Sequence, residues 1–291
     1  MSSPSPFSVI VLAAGMGTRM RSDTHKVLHP IAGKPMLMHL LDTVDALGAK
    51  QRIIVVGKGR DQVEVALNGR GVKVAHQAEQ KGTAHAVQQA EGVLADFDGN
   101  ILILYGDTPF VAADTLTEML GRLDGPDAPA IVVLASSPED PKAYGRVILG
   151  KGDTIAKMVE YKDATEAERA VRLCNSGMMA VRSRDLWGWL AKIGNDNAAG
   201  EYYLPDVVMI AAAEGRTSVA VETDSWQTAG VNSRAELAHL ELDWQRRRRC
   251  QSNSRWASSA RLLTPAVCQG SVSTATDARP SAAAIMTTSG R

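Results

Sequence analysis

The chain predicts an α/β fold: a mostly parallel sheet with helices on both faces and a small antiparallel insertion. Three observations carry that prediction. Short, unbroken apolar runs at Val9–Leu12, Arg52–Gly57, Asn100–Tyr105 and Pro129–Ala135 have the composition of strands buried on both faces. Helical periodicity fills the segments between them, in the strand–helix–strand order of parallel βαβ units. From 136 to 182 this alternation gives way to short strands and loops, which read as the insertion forming one wall of a site.

Taken in order, Val9–Leu12 opens the sheet and runs into Ala13-Ala14-Gly15-Met16-Gly17-Thr18-Arg19. Small residues and glycine let the backbone N–H groups of such a loop approach a bulky anion, and Arg19, Arg21 and Lys26 add positive charge. A polyphosphate is the simplest ligand. The loop is not a Walker loop, because no Gly-Lys-Ser/Thr follows, and position 20 is Met where a dinucleotide fingerprint has its third glycine. Met36–Leu47 predicts an amphipathic helix stopped by Gly48, Arg52–Gly57 a second strand, Asp61–Leu67 a helix and Val72–Ala75 a short strand. Thr83–Leu94 reads as a helix, with His85 as a structural residue on one face. Asn100–Tyr105 is a strand closed by Gly106-Asp107, followed by a helix over Asp114–Leu123. Within the insertion, strands are expected at Gly145–Leu149, Ile155–Glu160 and Met178–Val181. Helices over Arg184–Ile193 and Pro205–Ala213, a strand over Ser218–Glu222 and a helix over Arg234–Arg249 complete the reading.

Open α/β sheets bind ligands at the carboxyl ends of their strands. That rule puts Ala13-Ala14-Gly15 and Tyr105-Gly106-Asp107 at one crevice, with Asp107, which by itself could cap a helix, sited beside the loop to hold a metal against phosphates.

Composition narrows the classes. Hydrophobic residues make up 45% of 291, enough for a sizeable core, but only 4% is aromatic, so packing rests on aliphatics and Met. Formal net charge is zero, which gives no general attraction to nucleic acid or anionic membrane. Four arginines and one aspartate fall in 250–291, leaving 28 basic against 31 acidic side chains in 1–249, a net of −3. Cys174, Cys250 and Cys268 show neither metal spacing nor a disulfide framework, and no apolar run is long enough to span a bilayer. A soluble cytoplasmic protein is expected.

Leu-x-x-Gly-x-Gly-Thr-Arg from Leu12 to Arg19, with Lys26 ahead of Pro30-x-x-Gly33-Lys34-Pro35, resembles the signature of sugar-phosphate nucleotidyltransferases. With Gln77, Gly82-Thr83, Tyr105-Gly106-Asp107, Tyr144-Gly145-Arg146, Val159-Glu160-Tyr161, Cys174-Asn175-Ser176-Gly177 and Gly230-Val231-Asn232, residues 7–249 resemble one member of that group more closely. This is the uridylyltransferase domain of the bacterial bifunctional N-acetylglucosamine-1-phosphate uridyltransferases.

The resemblance implies a Rossmann-like nucleotidyltransferase fold over 7–233. It implies uridylyl transfer from UTP to N-acetylglucosamine 1-phosphate, a precursor step for peptidoglycan and lipopolysaccharide. Leu12, Ala13, Ala14 and Gly15 would contact the nucleotide, and Arg19 and Lys26 the triphosphate. Gln77, Gly82 and Thr83 would read uracil, whose edge presents one N–H between two carbonyls. Tyr105 and Gly106 would line the substrate site, and Asp107 and Asn232 would ligate Mg²⁺. Gly145, Glu160 and Asn175 would hold the sugar. Read alone, Gln77 also fits a solvated strand residue, Asn175 a turn cap and Glu160 a hairpin surface charge.

Arg246–Arg249 ends the basic connecting helix of 234–249 and reads as a solvated helix end rather than a nucleic-acid site. Residues 250–291 lack the hexapeptide repeat of the family's acetyltransferase half and are rich in Ser, Ala and Thr. Disorder or a lost reading frame is expected there, with no acetyltransferase activity, and the oligomeric state stays open because the trimerising part is missing. The competing expectations are a nucleotidyltransferase for another sugar phosphate or a thymidine nucleotide, and a folded remnant that binds UDP-sugars without turnover.

Overall fold

The computed structural model describes residues 5–141 and 143–259, with the backbone alone over 250–259. The chain divides into two units, 1–246 and 247–291. In the first, the elements run β1 (Phe7–Ala13), the two-residue strands β2 (Pro30–Ile31) and β3 (Lys34–Pro35), α1 (Met36–Leu47), β4 (Arg52–Val56), α2 (Arg60–Leu67), β5 (Lys73–His76) and α3 (Thr83–Gln88). They continue with β6 (Asn100–Tyr105), α4 (Ala113–Leu123), β7 (Ile131–Ser136), β8 (Arg146–Leu149), β9 (Ile155–Val159), α5 (Glu166–Arg169) and β10 (Cys174–Arg182). After these come α6 (Ser183–Leu190), α7 (Asp206–Ala213), β11 (Ser218–Thr223) and α8 (Arg234–Ser259).

The expected parallel sheet is present, in the order β11-β7-β10-β6-β1-β4-β5. β1 pairs in parallel with both β4 and β6. The chain therefore builds outward from β1 through β4 and β5, then returns to lay β6 on the other side of β1. The direction of winding reverses at the β1/β6 boundary, which is where a crevice opens beyond the strand ends.

Alternation along the buried strands feeds two cores. Ile10 and Leu12 of β1 join Ile53, Val55, Ile101 and Ile103 on one face, under α3, α6 and α7. Val9 and Val11 join Ile54, Val56, Leu102 and Leu104 on the other, under α1, α2 and α4. The helices present matching stripes: Leu37, Leu40, Leu41 and Val44 of α1, and Leu116, Met119 and Leu123 of α4, are buried. Gly48 ends α1 in a left-handed conformation, φ 75°, as expected of a glycine C-cap.

Three expectations need correction. Met178–Val181 belongs not to a peripheral insertion but to β10, which lies in the middle of the sheet, antiparallel to both β6 and β7. Only β8 and β9 stand off the main order, as an antiparallel pair joined to β10 at Cys174 and Arg146. The helix expected over Thr83–Leu94 ends at Gln88, and Glu91–Val93 forms a 3-10 turn around the poorly helix-forming Gly92. The last helix runs past Arg249 to Ser259. The remainder of the expected tail, 260–291, lies outside the described residues. Among the described residues no helix is long and apolar enough to cross a membrane.

Candidate active site

At the winding reversal, the backbone itself joins the two strand ends: Gly106 N–H donates to Leu12 O at 2.9 Å. Beyond β1 the loop turns through Gly17, at φ 73°, into a 3-10 turn over Thr18–Met20. Lys26 begins a second such turn and its stem lies across Gly17. A Cβ added at Gly17 would sit 2.6 Å from Lys26 Cβ and 2.9 Å from its Cγ and Cδ. Nothing lies within 4 Å of a Cβ added at Gly15, so that part of the loop faces open space.

The Lys26 ammonium pairs with Asp107 Oδ2 and donates to Asn232 Oδ1 at 3.2 Å. Three residues spread over the chain thus meet at one nitrogen. Val231 N–H donates to Asp107 O at 3.1 Å, which ties the segment carrying Asn232 to the end of β6. Asn232 N–H donates to Glu236 Oε2 at 2.6 Å, Arg234 Nε to Met20 O at 3.1 Å and Ala32 N–H to Glu241 Oε2 at 3.0 Å. The start of α8 is thereby fixed on the loops after β1, with Met20, Ile31, Met36, Val231 and Leu240 as a small core beneath. Arg19 is exposed and lines a cavity of about 560 Å³ that Asn232 and Glu236 also line.

A second pocket, of about 270 Å³, is lined by Tyr105, Gly145, Glu160, Asn175 and Gly177. β10 has an irregular register between Asn175 and Met179, and Gly177 sits there at φ 84°. A Cβ at Gly177 would lie 2.7–2.9 Å from the Tyr105 ring, so the ring packs on bare backbone. The irregularity re-aims Asn175 off the flat sheet. Its Oδ1 accepts from Gly177 N–H at 2.8 Å, and its backbone N–H donates to Gly145 O at 2.9 Å. A Cβ at Gly145 would come within 3.3 Å of the Glu160 carboxylate. Burial pushes the Glu160 pKa up, reinforced by Asp206, Asp163 and Glu201. Burial likewise raises the Tyr105 hydroxyl, with Glu160 and Asp107 adding to it, so the phenol stays neutral.

On the other side of the loop, Gln77 is 3% exposed. Its Nε2 donates to Gly82 O at 3.1 Å and lies 3.1 Å from His85 Nδ1. Gly82, at φ 112°, is pressed against Tyr202, whose backbone O and N would be 2.5 and 2.7 Å from an added Cβ. Thr83 Oγ1 accepts from Leu204 N–H at 3.0 Å. Gln80 Nε2 reaches back to Ala14 O at 2.6 Å, connecting this segment to the β1 loop.

The expected site residues therefore gather at one edge of the sheet. The loop from Ala14 to Lys26, the carboxyl end of β6, the start of β10 and the 231–232 segment converge. A family model described as a MobA-like NTP transferase domain matches residues 9–185. The chain belongs to that family. Among relatives of this NTP transferase domain, the bifunctional protein GlmU of Rhizorhabdus wittichii is 62% identical over 261 residues, 89% of this chain and 57% of that protein. The bifunctional GlmU of Novosphingobium aromaticivorans is 58% identical, over 90% of this chain and 57% of its own length. That of Zymomonas mobilis is 52% identical, over 86% and 56%. The chain thus spans little more than half the length of the curated relatives it matches. A solved structure of CMP:2-keto-3-deoxy-manno-octonic acid synthetase complexed with CTP shares the fold, with a TM-score of 0.62 at 17% identity, covering 84% of this chain and 100% of that one.

Three contacts in this region are not evident from the sequence. Gly17 gave way to Gly15 in the reading, although only Gly17 has the positive φ and the close Lys26 stem. Gln80, whose amide reaches the Ala14 carbonyl, carries no sequence signal that singles it out. His85 was read as structural, and nothing in its helical spacing marks it as a partner of Gln77.

Proposed function

We propose that this domain transfers a uridylyl group from UTP to N-acetylglucosamine 1-phosphate, giving UDP-N-acetylglucosamine and pyrophosphate. The observation that carries the reading is the meeting of Lys26, Asp107 and Asn232 at the winding reversal, between an open glycine loop and a polar pocket. The high identity to bifunctional GlmU proteins across nearly the whole transferase domain supports the choice of substrates.

The attacking group is a phosphate oxygen of the sugar phosphate. A phosphate monoester has its second pKa near ~6, so the oxygen is already ionised at neutral pH and needs no general base. The work of the site is to hold two anions in line and to stabilise charge on the departing pyrophosphate. Loop amides from Ala13 to Gly15 approach the nucleotide phosphates. Lys26 and Arg19 take the triphosphate charge. Asn175 and Glu160 offer donors and acceptors to sugar hydroxyls, and Gln77 with the Gly82-Thr83 turn reads the base.

Magnesium fits the residues present. Asp107 Oδ2 and Asn232 Oδ1 already converge on one cationic nitrogen, and both are hard oxygen donors. Among the described residues no cluster of three or more His, Cys, Asp or Glu forms a cation cage. A two-ligand site suits an ion that keeps water and phosphate oxygens. Bound there, it would supply charge neutralisation and alignment at the phosphates. Lys26 would then exchange Asp107 for a phosphate oxygen. On this reading the protein works in the reducing cytoplasm, consistent with the buried, unpaired Cys174.

Pyrophosphate release by the purified chain is the test. Release that needs both UTP and N-acetylglucosamine 1-phosphate, and that EDTA abolishes, is expected. Release with a different nucleotide or sugar phosphate in a substrate matrix, and none with this pair, would overturn the assignment.

A further inference from the structure

We infer that His85 is a specificity-determining positioning residue, whose unprotonated Nδ1 fixes the Gln77 amide so that only its carbonyl oxygen faces the nucleobase. The inference rests on the proposed reading that Gln77 meets the base.

The geometry leaves little freedom. A glutamine amide has two N–H donors on one nitrogen and one acceptor oxygen. Which end is nitrogen is decided by the partners. Gly82 O, 3.1 Å away, can only accept, so the nitrogen must face it. His85 Nδ1 lies 3.1 Å from the same nitrogen. Nδ1 must then accept, and the imidazole carries its proton on Nε2. Both amide hydrogens are used inside the protein, which leaves Oε1 as the one group Gln77 can offer a ligand. Gln77 is 3% exposed, so no solvent-driven rotamer competes.

An acceptor at this point selects a base edge with a central N–H. Uracil presents N3–H and is matched. Cytosine has an unprotonated N3 there, so two lone pairs would oppose each other. A flipped amide would reverse the preference, and the flip would set an oxygen against Gly82 O and require the His85 proton to move from Nε2 to Nδ1. Gly82 O alone holds one hydrogen and leaves the amide plane free to rock. His85 adds the second point that fixes it.

The test compares the parent, His85→Leu and His85→Asn. Asparagine can place Oδ1 near the position of Nδ1 and restore the acceptor; leucine cannot. UTP and CTP binding are measured by titration calorimetry, alongside steady-state kinetics with N-acetylglucosamine 1-phosphate. Losing one hydrogen bond should weaken UTP binding roughly 3- to 12-fold in His85→Leu. The UTP-over-CTP preference should fall by a similar factor, with kcat at saturating UTP within about twofold. His85→Asn should recover most of the affinity and preference. Parental affinity and preference in His85→Leu would overturn the inference. So would equal loss in both variants at parental melting temperature, which would assign the ring to packing. If the parent binds UTP selectively but releases no pyrophosphate, the proposed reaction falls while the binding comparison still decides the role of His85. If the parent shows no preference for UTP, the inference falls with the base-reading assignment.

Discussion

Two glycines two positions apart in the β1 loop should behave oppositely when given a methyl group. At Gly17 the backbone is left-handed, φ 73°, and alanine there costs about 1–2 kcal/mol. Its Cβ would also lie 2.6 Å from Lys26 Cβ, an atom too close to the backbone to swing aside. Overpacking of that kind costs about 1–3 kcal/mol. Gly17→Ala should therefore lose roughly 2–5 kcal/mol, and at about 2–4 °C per kcal/mol for a domain of this size the melting temperature should fall by roughly 4–20 °C. Displacing the Lys26 stem also breaks its contacts with Asp107 and Asn232, so activity should fall with stability. At Gly15 nothing lies within 4 Å of the added Cβ and φ is not positive. Gly15→Ala should melt within about 2 °C of the parent. On the proposed function the new methyl projects into the space that the nucleotide would occupy, so kcat/KM for UTP should fall roughly 10- to 100-fold through misplacement of the substrate. Differential scanning fluorimetry and pyrophosphate-release kinetics on the two variants make the comparison. A Gly15→Ala protein with parental UTP kinetics, or one that melts as low as Gly17→Ala, would refute the placement of the ligand over this loop.

Asp107→Ala should lose roughly 10²-fold or more in turnover, on the scale of lost electrostatic stabilisation; turnover within a few-fold of the parent would remove Asp107 from the metal and phosphate machinery. Gln77→Ala should lower the UTP-over-CTP ratio of kcat/KM by roughly 5- to 100-fold, more than it slows a single turnover with saturating UTP. The reverse pattern would contradict its base-reading role. Glu160 has its carboxyl pKa raised by burial and by neighbouring acids, so the folded state favours its protonated form. That contribution to stability is complete below the unfolded value near ~4.3 and is lost as pH rises through the folded value. Glu160→Gln should therefore melt above the parent at pH 7–8, by a few degrees if about 1 kcal/mol is recovered, with the advantage vanishing near pH 4. The same variant should bind the sugar phosphate more weakly, and equal melting of the two proteins at both pH values would contradict the burial argument.

What was legible in the sequence is what lies close together in it. The β1 loop is written in one stretch, because a buried strand, small residues and clustered cations all fall between Val9 and Lys26. The end of β6 is equally local, an apolar run stopped by Gly106-Asp107. β10 was not legible as a central strand. Its residues carry strand propensity, but an antiparallel strand between β6 and β7 is a choice of neighbours made roughly 40 to 80 residues away. The bulge at Asn175 and Gly177 hides the alternation that would have shown it entering the sheet. The His85 contact with Gln77 was hidden for a related reason. The His85 side chain makes a hydrogen bond to a residue on the preceding loop, and helix spacing reports only which face is turned inward.

The Lys26–Asn232 contact spans 206 positions and shows how the fold makes the site depend on the end of the domain. Asn232 is not on a strand end that the sheet would place by itself. It is held through Val231 N–H to the Asp107 carbonyl, through its own N–H to Glu236, and through Arg234 to the Met20 carbonyl. Each of these bonds is worth about 1 kcal/mol, too little to order the segment singly against backbone entropy of similar size per residue. Burial of Val231 and Leu240 against Met20, Ile31 and Met36 supplies the rest. The consequence is that the same small core fixes two things at once: the turn of the β1 loop that presents Lys26, and the start of α8 that presents Asn232. The loop turn that presents Lys26 and the segment that presents Asn232 are therefore formed together or not at all, and the pairing of Lys26 with Asp107 leaves both charges compensated at that point.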